Sequence, residues 1–439
     1  MSFQIESTKE HLENTGGLAL AAEVARACGL TSLVTQIRTW KGALLSMFGL
    51  LVMGRSSYEE IAGFRKDELF RTAFHLEYVP ARETLRIYLG RMARKTKGLI
   101  AMLFGCNISL LKRVAITPID IGRRRYIPVD VDVSTLDNGK SHKEGVGRTY
   151  MGTDGYAPIF SYIGTEEYML GCQLRPGTQH SQKGTPEFLE RNLAMIKELG
   201  LSHPVLFQLD SGNDAIDTIK KLVAPGCFFL IKRNLRREPL EQWREIAETL
   251  GTARHPRPGK TVYTGTITKS HPKADKDIPQ FDIVFEVTVR TSDHRGDYFL
   301  VPQVEVETWW TNLFESPETI IALYHDHGTS EQFHSELKTD MDVERLPSGS
   351  MKVNELVLTI SMLAFNTLRY IGQSALALPH LLPITPVTTQ RKRLRKVIAD
   401  LILVGCKLVQ HGRQMILRIW NGNPWLPVFN ELYAEFLRL

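Results

Sequence analysis

The chain has 439 residues, 43% hydrophobic, 23% charged and 9% aromatic, a globular composition that excludes a disordered, collagen-like or coiled-coil protein and leaves room for two or three structural units. Its five cysteines, Cys28, Cys106, Cys172, Cys227 and Cys406, are scattered, odd in number and never spaced CxxC, so neither a disulfide scaffold nor a thiolate zinc site is expected. The net charge of +6 resides after residue 370, where nine basic residues face three acidic ones. Apolar runs such as ALLSMFGLLVMG fall short of the roughly 20 residues of a membrane span, and no basic-then-apolar leader opens the chain, so a cytoplasmic protein without a membrane partner is expected.

Residues 1–111 read as helical, with apolar residues at three-to-four spacing in GLALAAEVARACG and LTSLVTQIRTWKGALLSMFGLLVMG. VPARETLRIYLGRMARK gives a further helix after Pro80, whose Arg82, Arg86, Arg91, Arg94 and Lys95 offer a basic surface. From residue 112 to 235 the texture becomes β-like: KRVAITPIDIG, YIPVDVDVST, YAPIFSYIG and EYMLGCQLRPG read as strands, followed by helix (TPEFLERNLAMIKELG), strand (VLFQL), helix (NDAIDTIKKLVAPG, with Asp214 as its cap) and strand (CFFLIKR). This is an α/β pattern that presents side chains from strand ends. Residues 236–308 interrupt it with alternating pieces, KTVYTGTITK, FDIVFEVTVR and GDYFLVPQVEVETW, read as an inserted antiparallel region of edge or loop character. Residues 309–375 return to helix, ending in the buried-looking NELVLTISMLAFNTLRYIG. Residues 376–439 comprise a Pro-rich connector, a basic helix RKRLRKVIADLILVGCKLVQ and a short terminal β/helical piece.

Three acidic positions carry chemistry. Asp130 and Asp132 share one face of an extended strand while Val129, Val131 and Val133 share the other. Partly buried acids need cations or hydrogen bonds, which a divalent metal supplies; a solvent-facing edge strand is the plainer alternative. Asp210 ends an apolar strand and is followed by Ser211-Gly212, with a turn or cap as its alternative role. In YHDHGTSEQFHSELK, Tyr324, His327, Glu331 and Lys338 fall within an arc of roughly 60° if one helix runs through all four. A capping box from Thr329 to Gln332 would instead start the helix at 329. His325, Asp326, His327 and His334 also admit a zinc reading. No Walker A, dinucleotide-binding glycine fingerprint, H-E-x-x-H or G-x-S-x-G occurs.

The strand VDVDVST, the strand end QLDSG and the spacing Y-x2-H-x3-E-x6-K together resemble the three blocks of DDE transposases of bacterial insertion sequences. The most similar group there has a last block Y-x2-R-x3-E-x6-K and a ribonuclease-H-like core with a β-rich insertion. The resemblance spans residues 112 to 370, more loosely the helical N-terminus, and implies an α/β, ribonuclease-H-like fold. It implies Asp132 (or Asp130), Asp210 and Glu331 as catalytic metal ligands for two Mg2+ ions, with Mn2+ able to substitute, and Tyr324, His327 and Lys338 beside the DNA backbone. His327 departs from the family's arginine and lacks its guanidinium fork. The implied partners are double-stranded DNA, namely the terminal inverted repeats of the chain's own element and target DNA, bound by a homodimer. The implied reaction is cut-and-paste transposition, with hairpin excision expected. A metal-dependent nuclease of the same fold, or an inactive DNA-binding descendant, are the alternatives. Arg391, Lys392, Arg393, Arg395 and Lys396 are expected to project from the terminal helix toward DNA phosphates.

Overall fold

In the computed structural model the structure describes residues 11–36, 40–95, 98–271, 273, 279–326, 330–383 and 390–439, apart from the side chains of 34–36 and 330–332. The N-terminal third is helical as its periodicity predicts: α1 (Leu18–Ala27), α2 (Leu30–Gln36), α3 (Lys41–Val52), a 3-10 turn (Tyr58–Phe64), α4 (Glu68–Ala73), α5 (Arg82–Lys95) and α6 (Leu99–Leu111). Two of these starts are built by side-chain caps. Ser57 and Glu60 form a capping box, and Asp67 accepts from the amide of Phe70 at 2.7 Å, satisfying N–H groups that have no partner within the helix.

The middle of the chain forms strands β1 (Ile119–Ile121), β2 (Arg124–Val133), the short β3 (Leu136–Asp137), β4 (Gly147–Arg148) and β5 (Asp154–Tyr156), then β6 (Ile159–Ile163) and β7 (Tyr168–Gln173). There follow α7 (Thr185–Leu199), β8 (Val205–Leu209), α8 (Ile216–Val223), β9 (Phe228–Lys232), α9 (Leu240–Leu250), β10 (Thr252–Arg257), β11 (Lys260–Lys269), β12 (Phe281–Ser292) and β13 (Tyr298–Thr311). The strands form one mixed sheet in the order β10-β11-β12-β13-β9-β8-β2-β6-β7, with β1 beside β2, while β3, β5 and β4 make a separate small sheet. At its centre, β2 pairs antiparallel with β6 and parallel with β8, and β8 runs parallel to β9. Pro128, which has no N–H to donate, stands where β1 pairing has ended at Tyr126 and β6 pairing begins at Val129.

Residues 236–311 are antiparallel as expected, with β10 to β13 as four successive strands and β10 at the edge of the sheet, and β13 pairs with β9 through Trp309↔Lys232, Trp310↔Ile231 and Thr311↔Leu230. The insertion is thereby an uninterrupted continuation of the central sheet. Alternation explains why this seam is stable. Trp309 lies against Tyr324 and His325 on one face, while Trp310 lies under Arg233 on the other and donates its indole N–H to Asp214 at 3.1 Å. The stretch also begins with a helix, α9, which buries Trp243 and Ala247, four residues apart, against β12.

After the sheet come α10 (Pro317–Asp326), α11 (Ser330–Ser335) and a π-helical turn (Glu336–Asp340), then the 26-residue α12 (Met351–Leu376). The last is apolar nearly all round because it lies between the sheet and the N-terminal helices. Its buried Asn366 has a specific task. A register shift between Ser161 and Tyr162 in the β6–β7 pair skips Leu170, and beside it Asn366 accepts from the Met169 amide at 2.7 Å and donates to its carbonyl at 2.8 Å. The C-terminal segment contains α13 (Leu394–Val397), a π turn (Ile398–Ile402), a hairpin of β14 (Cys406–His411) and β15 (Gln414–Ile419), and α14 (Leu426–Phe436). The basic helix expected to reach Gln410 therefore stops at Ile402. Cys406 instead takes strand pairing with Ile419 on one side and with Glu13 on the other, a tertiary contact that outweighs the helical pattern of VIADLILV. Among the described residues, no helix is long and apolar enough to cross a membrane.

Candidate active site

The parallel register of β2 and β8 sets the site. Val131 pairs with Leu209, so the next residues, Asp132 and Asp210, emerge side by side at the carboxyl ends of adjacent strands. Neighbouring strands lie about 4.8 Å apart, so the two carboxylates share one small volume. Asp130 occupies the same face one pleat deeper, level with Gln208 and buried, whereas Asp132 keeps 31% of its side chain exposed. The buried Asp130 carboxylate faces Glu167, which sits at positive φ in the β6–β7 turn.

Both aspartates at the strand ends are held by neighbours. Asp132 accepts from its neighbouring amide, Val133 N, at 2.7 Å through Oδ1, and its Oδ2 lies 3.0 Å from Nε2 of His334. His334 is buried against the rings of Phe160 and Tyr162, and the Tyr162 hydroxyl lies 3.5 Å from its Nδ1. Asp210 accepts from Asn213 Nδ2 at 2.7 Å, and Asn213, fully buried, in turn accepts from Thr185 at 3.2 Å. Asp210 opens the 3-10 turn Ser211–Asn213 rather than capping α8. The expected cap, Asp214, is otherwise engaged. It accepts from Trp310 and from the amide of Asn234, and α8 starts at Ile216 behind Ala215.

The charge of this pair is felt within it and by Tyr324, Lys338 and Tyr150 around it. Burial, and secondly the Asp132 carboxylate, push the Asp210 carboxyl up to about 6, against the opposing effect of the Asn213 hydrogen bond. Tyr324, on α10, is raised well above the usual phenol range by burial and by Asp210 and Asp132. Lys338, in the π turn, is lowered by burial and held up by Glu344 and Asp132. Tyr150, whose hydroxyl donates to Val133 O at 2.6 Å, is pushed up to about 12 by burial and by the same two aspartates. The structure thus brings Asp132, Asp210, Tyr324 and Lys338 together.

Tyr324 lies in α10, Glu331 in α11 and Lys338 in the π turn that follows, and residues 327–329 between α10 and α11 lie outside the described residues. His327 and the Thr329 cap lie outside the described residues. Glu331 is in the first turn of α11, three residues before His334, and residues so spaced lie on one side of a helix. The docking of His334 on Asp132 was missed because a histidine in HDHGTSEQFHS suggests zinc before it suggests a hydrogen-bond partner for a distant strand. The zinc set does not converge among its described members. His325 meets Trp309 edge to face, 3.8 Å from Glu307, while His334 is engaged by Asp132. Asn213 and Tyr150 were also missed, and no spacing marks them.

The basic cluster divides. Arg391 lies 4.0 Å above the Phe333 ring, and Lys392 is 2.7 Å from Asp400 and 4.0 Å from the Trp425 ring. Arg393, part-exposed, grips Asp340, Arg395 Nε lies 3.9 Å from the same carboxylate with most of its side chain in solvent, and Lys396 is exposed. The expectation that the whole cluster projects into solvent is thus corrected: buried Glu336 and Asp340 and half-buried Asp400 require cations, and the nearest ones turn inward.

No curated protein matches the chain. Among solved structures, the cryo-EM structure of a piggyBac transposase synaptic complex with hairpin DNA is similar with a TM-score of 0.41 and 11% identity, over 91% of this chain and 73% of that one, a likeness too distant to bear on the site. The family model described as transposase DDE domain group 1 matches residues 4–439. With nearly its whole length matched, the chain belongs to the family of transposases with a DDE domain, group 1.

Proposed function

We propose that this transposase cleaves DNA at the ends of a mobile element and joins the freed ends to target DNA by cut-and-paste transposition, with Asp132, Asp210 and Glu331 as its catalytic carboxylates. The observation that carries the reading is the register of Val131 with Leu209, which sets Asp132 and Asp210 side by side at the strand ends. His334, three residues after Glu331 in the sequence of α11, docks that helix on Asp132. The strand order β7-β6-β2-β8-β9, three antiparallel and two parallel strands, is that of a ribonuclease-H-like core. On this reading residues 112–235 and 309–375 form the core around an insertion of 236–308.

The donor set fits a hard divalent cation. Two carboxylates share one crevice, and burial together with the Asp132 charge raises the Asp210 carboxyl to about 6. Asp132, Asp210 and Glu331 would hold Mg2+, two ions by family resemblance, with Mn2+ able to replace it. Bound there, such ions supply Lewis acidity to the attacking and leaving oxygens of phosphoryl transfer. The protein's own contribution is orientation. His334 fixes the Oδ2 edge of Asp132 and Asn213 fixes Oδ1 of Asp210, so neither carboxylate has to be ordered when the phosphate arrives. Lys338 and Tyr324 flank the pair and are the groups placed to meet a phosphate oxygen. Arg395 and Lys396 offer exposed charge for backbone contacts farther out, whereas Arg391, Lys392 and Arg393 are occupied within the protein.

The test is strand cleavage and joining on duplexes carrying the element's ends, with Mg2+. Asp132→Asn and Glu331→Gln are expected to abolish both steps and leave DNA binding intact. Full cleavage by Glu331→Gln would remove that residue from the triad. Hydrolysis without any joined product from the parent protein would reassign the chain as a nuclease.

A further inference from the structure

We propose that Arg391 and Arg393 are positioning residues, forming with the main chain through Arg395 a clasp that fixes the helix bearing Glu331. The inference rests on the assignment of Glu331 for its functional meaning, although the clasp itself can be observed without activity.

The helical stretch Ser330–Asp340 presents three different faces. His334 meets Asp132, Phe333 and Leu337 enter the core, and Glu336 and Asp340 point to the C-terminal segment. Both acids are buried, and among the described residues the hydrogen bonds to their side chains come from α12 and from residues 393–395. Glu336 accepts from Arg369 Nη2 at 2.9 Å and from the amide of Leu394 at 3.2 Å, with Arg391 Nε 3.6 Å away. Asp340 accepts from Arg393 Nε at 2.8 Å and Nη2 at 3.0 Å, a two-pronged grip, and from the amide of Arg395 at 3.2 Å. Arg391 additionally covers the Phe333 ring at 4.0 Å. The π-helical widening occupies the five residues bounded by these two acids, so the departure from α geometry coincides with the clasp.

Apolar contacts alone let a short helix slide or roll, because dispersion is non-directional. Arginines on two buried carboxylates, one of them a fork, fix its translation and rotation together, since any shift strands a buried charge. Glu331 is only five residues before Glu336, so the clasp holds the stretch of helix backbone that carries it. Displacements near 1 Å at a reacting centre can cost on the order of a hundredfold in rate.

Arg393→Ala and Arg393→Lys in the full chain provide the test, read by amide hydrogen exchange and by single-turnover cleavage over a range of DNA concentrations. Arg393→Ala is expected to raise exchange in residues 330–340 at least tenfold, leaving β2 and β8 unchanged. It should slow cleavage at saturating DNA by roughly ten- to a hundredfold without changing the half-saturating DNA concentration or its salt dependence. Arg393→Lys, which keeps the charge and loses the fork, should recover part of both effects. Unchanged exchange in 330–340 would overturn the clasp, as would a loss confined to DNA affinity and salt slope, which would make Arg393 a phosphate contact. A parent protein that cuts no DNA would refute the transposition reading while the exchange result still decided the clasp. Should Arg393→Ala not fold, Arg393→Lys and Asp340→Asn carry the same exchange comparison.

Discussion

Replacing Asp210 by asparagine should make the metal-free protein more stable. The Asp210 carboxyl titrates near about 6 in the folded chain, against 3.8 for an unperturbed aspartate, because it is buried beside Asp132. An acid whose folded value is raised favours the protonated native state. Its contribution is therefore fully present below about pH 4, is lost as the pH climbs through about 6, and stays lost above. A tenfold change in proton affinity corresponds to about 1.4 kcal/mol, so the roughly hundredfold difference here amounts to about 3 kcal/mol. Asparagine carries no charge yet keeps an oxygen for the Asn213 side chain to donate to. In EDTA, urea unfolding of Asp210→Asn should thus show a stability gain on the order of 2 to 3 kcal/mol at pH 8, shrinking to nearly nothing at pH 4. Adding Mg2+ should stabilise the parent at pH 8 and narrow the difference, since the cation offsets the repulsion that the variant lacks. A variant less stable than the parent at pH 8 in EDTA, or a gain of equal size at pH 4 and pH 8, would refute the electrostatic account of the pair.

Other outcomes follow from the same geometry. His334→Ala removes the group at Oδ2 of Asp132 and leaves a small void between Phe160 and Tyr162; cleavage should fall by roughly ten- to a hundredfold, and a variant of parental rate would show that Asp132 needs no such support. Lys338→Met should leave the fold intact and weaken engagement of the scissile phosphate, seen as a slower single-turnover rate with little change in overall DNA affinity. Arg395→Ala combined with Lys396→Ala should lower affinity for all DNA sequences alike and reduce the slope of log K against log salt by about 2, with an unchanged slope excluding both as phosphate contacts.

The core was legible where hydrophobic runs end in acids. VLFQL followed by Asp210 and the alternating VDVDV announced a strand end and a strand face, and the order of strands and helices from 112 to 235 is the one found, except that the small sheet of β3, β4 and β5 intervenes between β2 and β6. The sequence could not reveal which strands are neighbours. Only the β2–β8 register makes Asp132 the neighbour of Asp210 and sets Asp130 a pleat away. The same limit hid the pairing of β13 with β9 and the task of His334, both fixed by contacts across large sequence separations. Charge was the most misleading signal, because RKRLRK has the composition of a solvated end while its first three cations answer to Glu336, Asp400 and Asp340. An apolar run of intermediate length was equally ambiguous. VIADLILVGCKLVQ suits helix or strand, and the chain uses it as both.

The seam between β13 and β9 bears on how this protein can be engineered. A β-rich insertion invites excision, with its ends rejoined by a short linker. Here excision would remove the strand that covers β9 and leave a row of main-chain donors and acceptors along an apolar strand, Phe228–Lys232, open to the next molecule. A trimmed chain should form aggregates through that exposed edge instead of a smaller soluble enzyme. Shortening is better confined to the distal turn around Asp293–Asp297, beyond the last β12–β13 pair at Ser292 and Tyr298. That change would preserve the partner that β9 requires.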